Sequence, residues 1–429
     1  MNIKDNLAAI LGGQPAVTEN HNSALNWPLL TSEDEQAVLN VMRDGDISTH
    51  TVIRELEKEY ADFTQRKYAL AHNNGTAGLL AAFYALDLKP GDEVIVPSAT
   101  FWASVVPMLW LGAIPIFCES ESERLGLDPE DIQRKITSRT KAIVVVHLWG
   151  LPSKIQQIKE IADKHDLKII EDASHAHGAY WNNQPCGSLG DISVFSLQGD
   201  KLAPGGEGGI FLCDNPTYME RATCLGDITR IIELESPAQR FAATSFGIKT
   251  RIAPISAAIA RVQLKHLNER NTKRVNNIES ISKRIEKYGF HSYLPPSHIK
   301  RTYFEYIVRY DEPEDGLNIE QVISALKSEG CRVERPRYPL LHQQPLFTEG
   351  TYKSIARLSD DTLLPDYTKV RLPNTEKSNA NLIKLPSFPN ATQKILNQYI
   401  SAFDKIFNQK DAIQDYFSRD SERIEEKVI

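Results

Sequence analysis

The sequence predicts an α/β protein, a large domain with a mostly parallel seven-stranded sheet followed by a smaller α+β unit. Seven short apolar runs, rich in Val and Ile, recur between residues 68 and 213, as strands do when helices cover both faces of their sheet. Helix-like stretches alternate with several of these runs, the arrangement that produces parallel sheets. After about residue 255 the pattern becomes long helical periodicity and then mixed short elements. A chain of 429 residues has room for two or three domains. We place the large domain, with an N-terminal arm, at 1–260 and the small domain at 261–429.

In chain order, the start "MNIKDNLAAILGGQPAV" is broken by Gly-Gly too early for a secretory signal or a membrane span. The expectation is a cytoplasmic chain. The strand runs are "KYALAH", "DEVIVP", "IPIFCE", "AIVVVHLW", "LKIIED", "ISVFSL" and "GGIFLC", with helices expected in "TAGLLAAFYAL" and "PSKIQQIKEIADKH". "ISAAIARVQLKHLNERNTKRVNNIESISKRIEKY" reads as a long helical connection, apolar every three or four positions. "TYFEYIVRY", "GLNIEQVISALKSEG" and "NQYISAFDKIFNQ" make the small unit, and the charged tail "DSERIEEKVI" should fray.

Composition excludes some classes. With 41% hydrophobic and 24% charged residues the chain is of ordinary globular make-up. A net charge of −7 without a Lys/Arg run argues against a nucleic-acid partner. The five scattered cysteines form no C-x-x-C pair and read as buried thiols rather than disulfides or zinc ligands.

Ligands of parallel sheets gather at the carboxyl ends of the strands, so the residues after each run are the candidates. In "NNGTAGL" a strand ends and a helix begins, which places free N–H groups of Gly75 and Thr76 at the positive end of a helix, a ready anion site. Thr76 is equally suited to a simple N-cap. Asp172 ends the apolar run "LKII" and needs a cation or donors to offset its burial, or else caps the next turn. His175 and His177 beside it lack a third nearby His or Cys, so no metal is expected. Lys201 follows Ser196 by five positions and precedes "LAPGGEGG". A Walker loop is excluded because Asp precedes this lysine, Leu follows it and the next element is a strand. No G-x-G-x-x-G follows the first strand either, which argues against a nicotinamide dinucleotide. One cofactor uses all the parts. Pyridoxal 5′-phosphate requires a lysine, an acid opposite its ring nitrogen, a phosphate cup and a flat surface. Lys201, Asp172, Gly75–Thr76 with Ser196, and Phe101 or Trp102 could supply them.

The segments "NNGTAGL", "PGDEVIVPSATFWAS", "EDASHAHGA", "SVFSLQGDKLAPGGEGG", "GIKTRIAPISAAIARVQL" and "YPLLHQQPLF", in this order, resemble the DegT/DnrJ/EryC1/StrS family of fold-type I, pyridoxal-phosphate-dependent sugar aminotransferases. The resemblance implies that Lys201 forms the imine with the cofactor and moves the proton. It also implies that Asp172 pairs with the pyridine nitrogen, Phe101 stacks on the ring, with Trp102 as the alternative, and Gly75, Thr76 and Ser196 hold the phosphate. His175 stands where many relatives have Gln near the 3′-oxygen, and Lys249 where many have an Asn reaching the phosphate across a dimer. Trp149, Tyr338, His342 and the "GDIST" loop match substrate-facing regions. The implied activity moves an amino group from glutamate or glutamine to a keto sugar, free or nucleotide-linked, or to a keto cyclitol, in a homodimer with shared sites. A dehydratase or epimerase of similar fold and a non-catalytic sensor are the alternatives. The retained Lys201 disfavours the first, because dehydrating relatives carry His there, and the intact lysine–acid pair disfavours the second.

Overall fold

The structure is a computed structural model that describes residues 6–122, 124–358 and 363–425. All seven expected runs are strands of one sheet. They are β1 (Tyr68–His72), β2 (Glu93–Pro97), β3 (Ile114–Cys118), β4 (Thr140–Val146), β5 (Lys168–Asp172), β6 (Ile192–Ser196) and β7 (Gly209–Cys213). The order across the sheet is β1-β7-β6-β5-β4-β2-β3. β7 alone runs antiparallel to its neighbours, and the other contacts are parallel. Because β7 reverses once on each side, the carboxyl ends of β1, β2, β4, β5 and β6 share one edge. The interior strands are buried along their length, with Val94, Ile143, Val144 and Ile170 fully covered, which is why they lack polar alternation.

The long helical connection is two helices, α1 (Pro254–Lys265) and α2 (Leu267–Ile285), separated at His266 (φ −92°, ψ 0°). The break serves the packing. α1 lies on the large-domain helices Ser32–Asp44 and Val52–Thr64, whereas α2 packs against Gln393–Phe407 of the small domain. A straight helix could not turn its apolar stripe from one body to the other.

The small sheet joins Phe290–His291, Tyr306–Tyr310 and Leu382–Leu385. The helix at Lys410–Glu425 enters the charged tail expected to fray; the last four residues of that tail lie outside the described residues.

The expected cut at 260 divides the chain differently from its cores. Ala8, Val17 and Ala24 of the N-terminal arm are buried with Ile278, Tyr306 and Phe403 of the small domain. Conversely, Leu340, Phe347, Tyr352 and Tyr367 belong to the core of the large sheet. Both segments carry apolar residues without a period long enough to assign them to either body from sequence. All five cysteines are buried and unpaired.

Candidate active site

The shared edge of the sheet brings the chemistry-bearing residues together. Asp172 is the last residue of β5 and is 6% exposed. Its Oδ2 accepts a 2.6 Å hydrogen bond from Ser104 Oγ, and its Oδ1 accepts from the Ser174 amide at 3.1 Å. Capping the next turn and waiting for a cation are thus combined in one carboxylate. Ser104 is in turn hydrogen-bonded to Thr100 Oγ1 at 2.9 Å. Glu171, on the opposite face by strand alternation, is absorbed by structure. Its carboxylate accepts from the amides of Gly187, Leu189 and Gly190 and pairs with His147.

Lys201 sits on a tight loop after β6. Its amide donates to Gln198 O at 2.8 Å, and its carbonyl accepts from Trp27 Nε1 at 3.0 Å. Gly205 lets this loop lie against α1, where a Cβ would fall 2.6 Å from Ser256 O. The lysine ammonium rests 4.2 Å over the Phe304 ring centroid. Burial lowers its pKa to about 8, and the nearby Arg337 charge helps, while Asp172 opposes the shift. A fraction of the amine is therefore neutral near physiological pH.

His175 is stacked between Phe304 (centroids 4.3 Å, 19°) and Tyr338 (5.7 Å, 8°). Its Nδ1 accepts from the Trp149 amide at 3.3 Å, which places the proton on Nε2, 3.3 Å from the Tyr338 hydroxyl. Burial first, and then the Lys201 and Arg337 charges, hold His175 well below its usual pKa, so it is neutral. Trp149 presents that amide from the left-handed region (φ 53°, ψ 19°), an unfavourable conformation for a non-glycine residue. Its indole Nε1 is buried without a partner. Phe101, 40% exposed, touches the Tyr338 ring at 5.9 Å; its neighbour Trp102 is 45% exposed.

At the neighbouring strands Ser196 ends β6, and Gly75 opens the helix Gly75–Ala85. The N-cap of that helix is Asn74, whose side chain accepts from the Ala77 amide at 2.8 Å. Thr76 therefore lies inside the first turn, and its hydroxyl is not spent on capping. A Cβ at Gly75 would stand 3.0 Å from Ser196 Cβ and 3.4 Å from its Oγ. Ser196 thus lies against the first turn of a helix whose first amides have no intrahelical partner, a favourable place for an anion.

A family model matches residues 28–404, that of the DegT/DnrJ/EryC1/StrS aminotransferase family. The chain belongs to this family. A Micromonospora echinospora protein described as a putative L-glutamine:3-amino-2,3-dideoxy-scyllo-inosose aminotransferase is 29% identical over 368 residues, 83% of this chain and 87% of that one. Among solved structures, an aminotransferase from Psychrobacter cryohalolentis superposes with a TM-score of 0.80 at 27% identity, covering 90% of this chain and 99% of that one. DesV of S. venezuelae, solved in complex with a ketimine intermediate, gives 0.73 at 25% identity over 87% and 93% of the two chains.

The remaining expected site residues of this aminotransferase fall outside the cluster. His342 is 2% exposed; its Nδ1 meets Ser98 Oγ at 2.7 Å and its Nε2 meets Glu376 at 3.0 Å. Both ring nitrogens are used to tie the end of β2 to a C-terminal helix. The "GDIST" loop is held by Asp46, which accepts from the Ser48 and Thr49 amides, and by Arg251 on Ser48. Lys249 is exposed and makes no ion pair among the described residues. It follows a stretch in which Phe246 and Ile248 are also exposed, at 40% and 38%. His177 is wholly buried against Phe195 and Tyr60. Among the described residues no three His, Cys, Asp or Glu side chains converge as metal ligands would.

Sequence reasoning missed Ser104, Phe304, Arg337 and Trp27. Ser104 had a legible signal, since Thr100 and Ser104 are hydroxyls four apart just after a strand end. Phe304 and Trp27 are over 100 residues from Lys201 and carry no local mark of the contact.

Proposed function

We propose that the chain binds pyridoxal 5′-phosphate at this edge and moves an amino group from glutamate or glutamine to a keto sugar or keto cyclitol. The observation that carries the reading is Lys201, a buried amine with its pKa lowered to about 8 and the Asp172 carboxylate near enough to oppose that shift. Gly75, Thr76 and Ser196, at the start of a helix, suit the phosphate, and a Cβ at Gly75 would press on Ser196. Phe101 offers a partly exposed ring to stack on, and its contact with Tyr338 favours it over Trp102.

When bound, the cofactor supplies an electron sink for the charge left as the substrate carbon loses its proton. Asp172, held by Ser104 and the Ser174 amide, keeps a proton on the pyridine nitrogen. Opposite charges about 4 Å apart, at an effective dielectric near about 20, attract by roughly 4 kcal/mol, or about three pKa units. Lys201, neutral for part of the cycle, would carry the proton between the substrate carbon and the cofactor carbon. Arginine could not, because it stays charged. His175, neutral and protonated on Nε2, has the donor needed at the 3′-oxygen, the role that Gln fills in many relatives. Tyr338, half-buried beside that imidazole, would meet substrate before Trp149, which is buried.

The Micromonospora relative, named for a glutamine donor and a cyclitol acceptor, supports this choice of donor and acceptor class. The reading includes a homodimer, in which Lys249 would reach the partner's phosphate across an interface including the exposed Phe246 and Ile248. No helix among the described residues is long and apolar enough to cross a membrane, and a cytoplasmic location is in keeping with that and with five unpaired thiols.

The test is the absorbance spectrum of the purified protein, then borohydride reduction and peptide mapping. The reduced cofactor should stay on Lys201, and adding glutamate before reduction should convert the aldehyde form to the amine form. Retention on another lysine, or no cofactor after reconstitution, would refute the reading.

A further inference from the structure

A cavity of about 550 Å³ lies next to Phe304, bordered by Asp200 of the Lys201 loop and by residues of the small domain. It shares two walls with the lysine site. Phe304 lines it while carrying the Lys201 ammonium on its ring, and Trp27 lines it while holding the Lys201 carbonyl. Five cations and three carboxylates border it. Each carboxylate is paired with a cation, although Glu305 Oε2 is buried without a hydrogen-bond partner. Glu305 pairs with Arg337 and Lys384, Glu334 with Lys384 at 2.8 Å, and Asp200 with Arg337 at 3.3 Å.

Arg274, Lys327 and Arg332 are left, and none of them pairs with a carboxylate among the described residues. Arg274 is unusual, since it is only 2% exposed yet is a full guanidinium. One face lies 4.4 Å from the Trp27 ring centroid, Nη1 donates to Asn271 Oδ1 at 3.2 Å, and Nε is buried with no partner. Burial and the charge of Arg270 pull its pKa down to about 9, the direction expected of a buried cation that lacks an anion. A buried charge left unpaired is costly, and the two exposed cations at the mouth, Lys327 and Arg332, would draw in a ligand of the opposite sign.

We propose that this cavity is a binding site for a multiply charged oxyanion, with Arg274 at its floor and Lys327 and Arg332 at its mouth. Two sources share that chemistry, the diphosphate of a nucleotide-linked acceptor and the dicarboxylate of the amino donor. Only the choice between them rests on the proposed function; the anion site itself stands on the cavity.

The experiment is calorimetric titration of the cofactor-loaded protein, whose phosphate cup is already filled, with inorganic pyrophosphate. Wild type should bind it, and Arg274→Gln should weaken binding by about tenfold to a hundredfold, as loss of charge-assisted hydrogen bonds does. Because Arg274→Gln risks misfolding, the exposed double variant Lys327→Gln/Arg332→Gln is measured beside it and should weaken binding in the same direction. In parallel arms, UDP binding more tightly than pyrophosphate assigns the site to the acceptor, and L-glutamate displacing pyrophosphate assigns it to the donor. No pyrophosphate binding up to about 10 mM, or equal affinity in wild type and both variants, overturns the proposal. Neither result depends on turnover, so a failure here is distinct from a borohydride label found away from Lys201.

Discussion

Lys201 is the residue whose environment and chemistry agree most closely. Imine formation needs a neutral amine, and burial supplies one by lowering the pKa to about 8. The sign is definite: below that value the amine is protonated and unreactive, above it free. The rate at which cofactor-free protein takes up pyridoxal 5′-phosphate should therefore rise about tenfold per pH unit below 8 and level off above it. Stopped-flow absorbance over pH 6–10 checks this; a rate still climbing at pH 10 would show an ordinary, solvated lysine. Asp172 and Ser104 divide another task. Asp172→Asn should retain cofactor but react poorly, because a neutral amide cannot keep the ring nitrogen protonated. Ser104→Ala leaves the carboxylate in place but removes its 2.6 Å donor, so kcat should fall by about tenfold to a hundredfold with cofactor affinity nearly unchanged. The bound cofactor's absorbance pH profile should also shift in Ser104→Ala, a response that loss of packing alone would not produce.

At the scale of elements, the strand–turn–helix at Gly75 ties geometry to binding most directly. Gly75→Ala places a methyl 3.0 Å from Ser196 Cβ, so that Ser196, which is assigned to the phosphate, must give way. We expect a stability loss of about 1–3 kcal/mol, read by urea unfolding, and a larger relative loss of cofactor affinity, read by dialysis against pyridoxal 5′-phosphate. These same elements were the most legible part of the sequence. All seven strands were visible because strands buried on both faces must be apolar throughout, and the residues just past their ends are where a parallel sheet binds ligands. The break at His266 was not visible, since neither Gly nor Pro marks it and only the packing of α1 and α2 on different bodies requires it. Within the site, Lys201, Asp172, Ser196 and Gly75 could be found from strand ends alone. Phe304 could not, because its role is a contact between domains. The partners of His342 were equally out of reach of the sequence: its segment matches a substrate-facing region of the family, and the fold gives its two ring nitrogens Ser98 and Glu376 as partners.

Across the whole molecule, the N-terminal arm connects the small domain to the active-site loop. Glu329, whose side chain is fully buried, accepts from the amides of Ala9 at 2.6 Å and Ala16 at 2.8 Å and pairs with Lys405 at 3.0 Å. Ala8 donates to Gln409, and Ala8, Val17 and Ala24 enter the small-domain core. From there the chain reaches Trp27, which holds the Lys201 carbonyl at 3.0 Å. The arm is therefore part of the folded body rather than an appendage, and one carboxylate fastens it. Glu329→Gln keeps the shape but loses the charge and turns one acceptor into a donor facing an N–H. It should lower stability by about 2–3 kcal/mol, measured by urea unfolding. Because the substitution weakens the arm's anchor and leaves the sheet untouched, limited proteolysis of this variant should cut ahead of Trp27 first. If the arm were only loosely attached, wild type and variant would be cut there at equal rates, and the unfolding midpoint would not move.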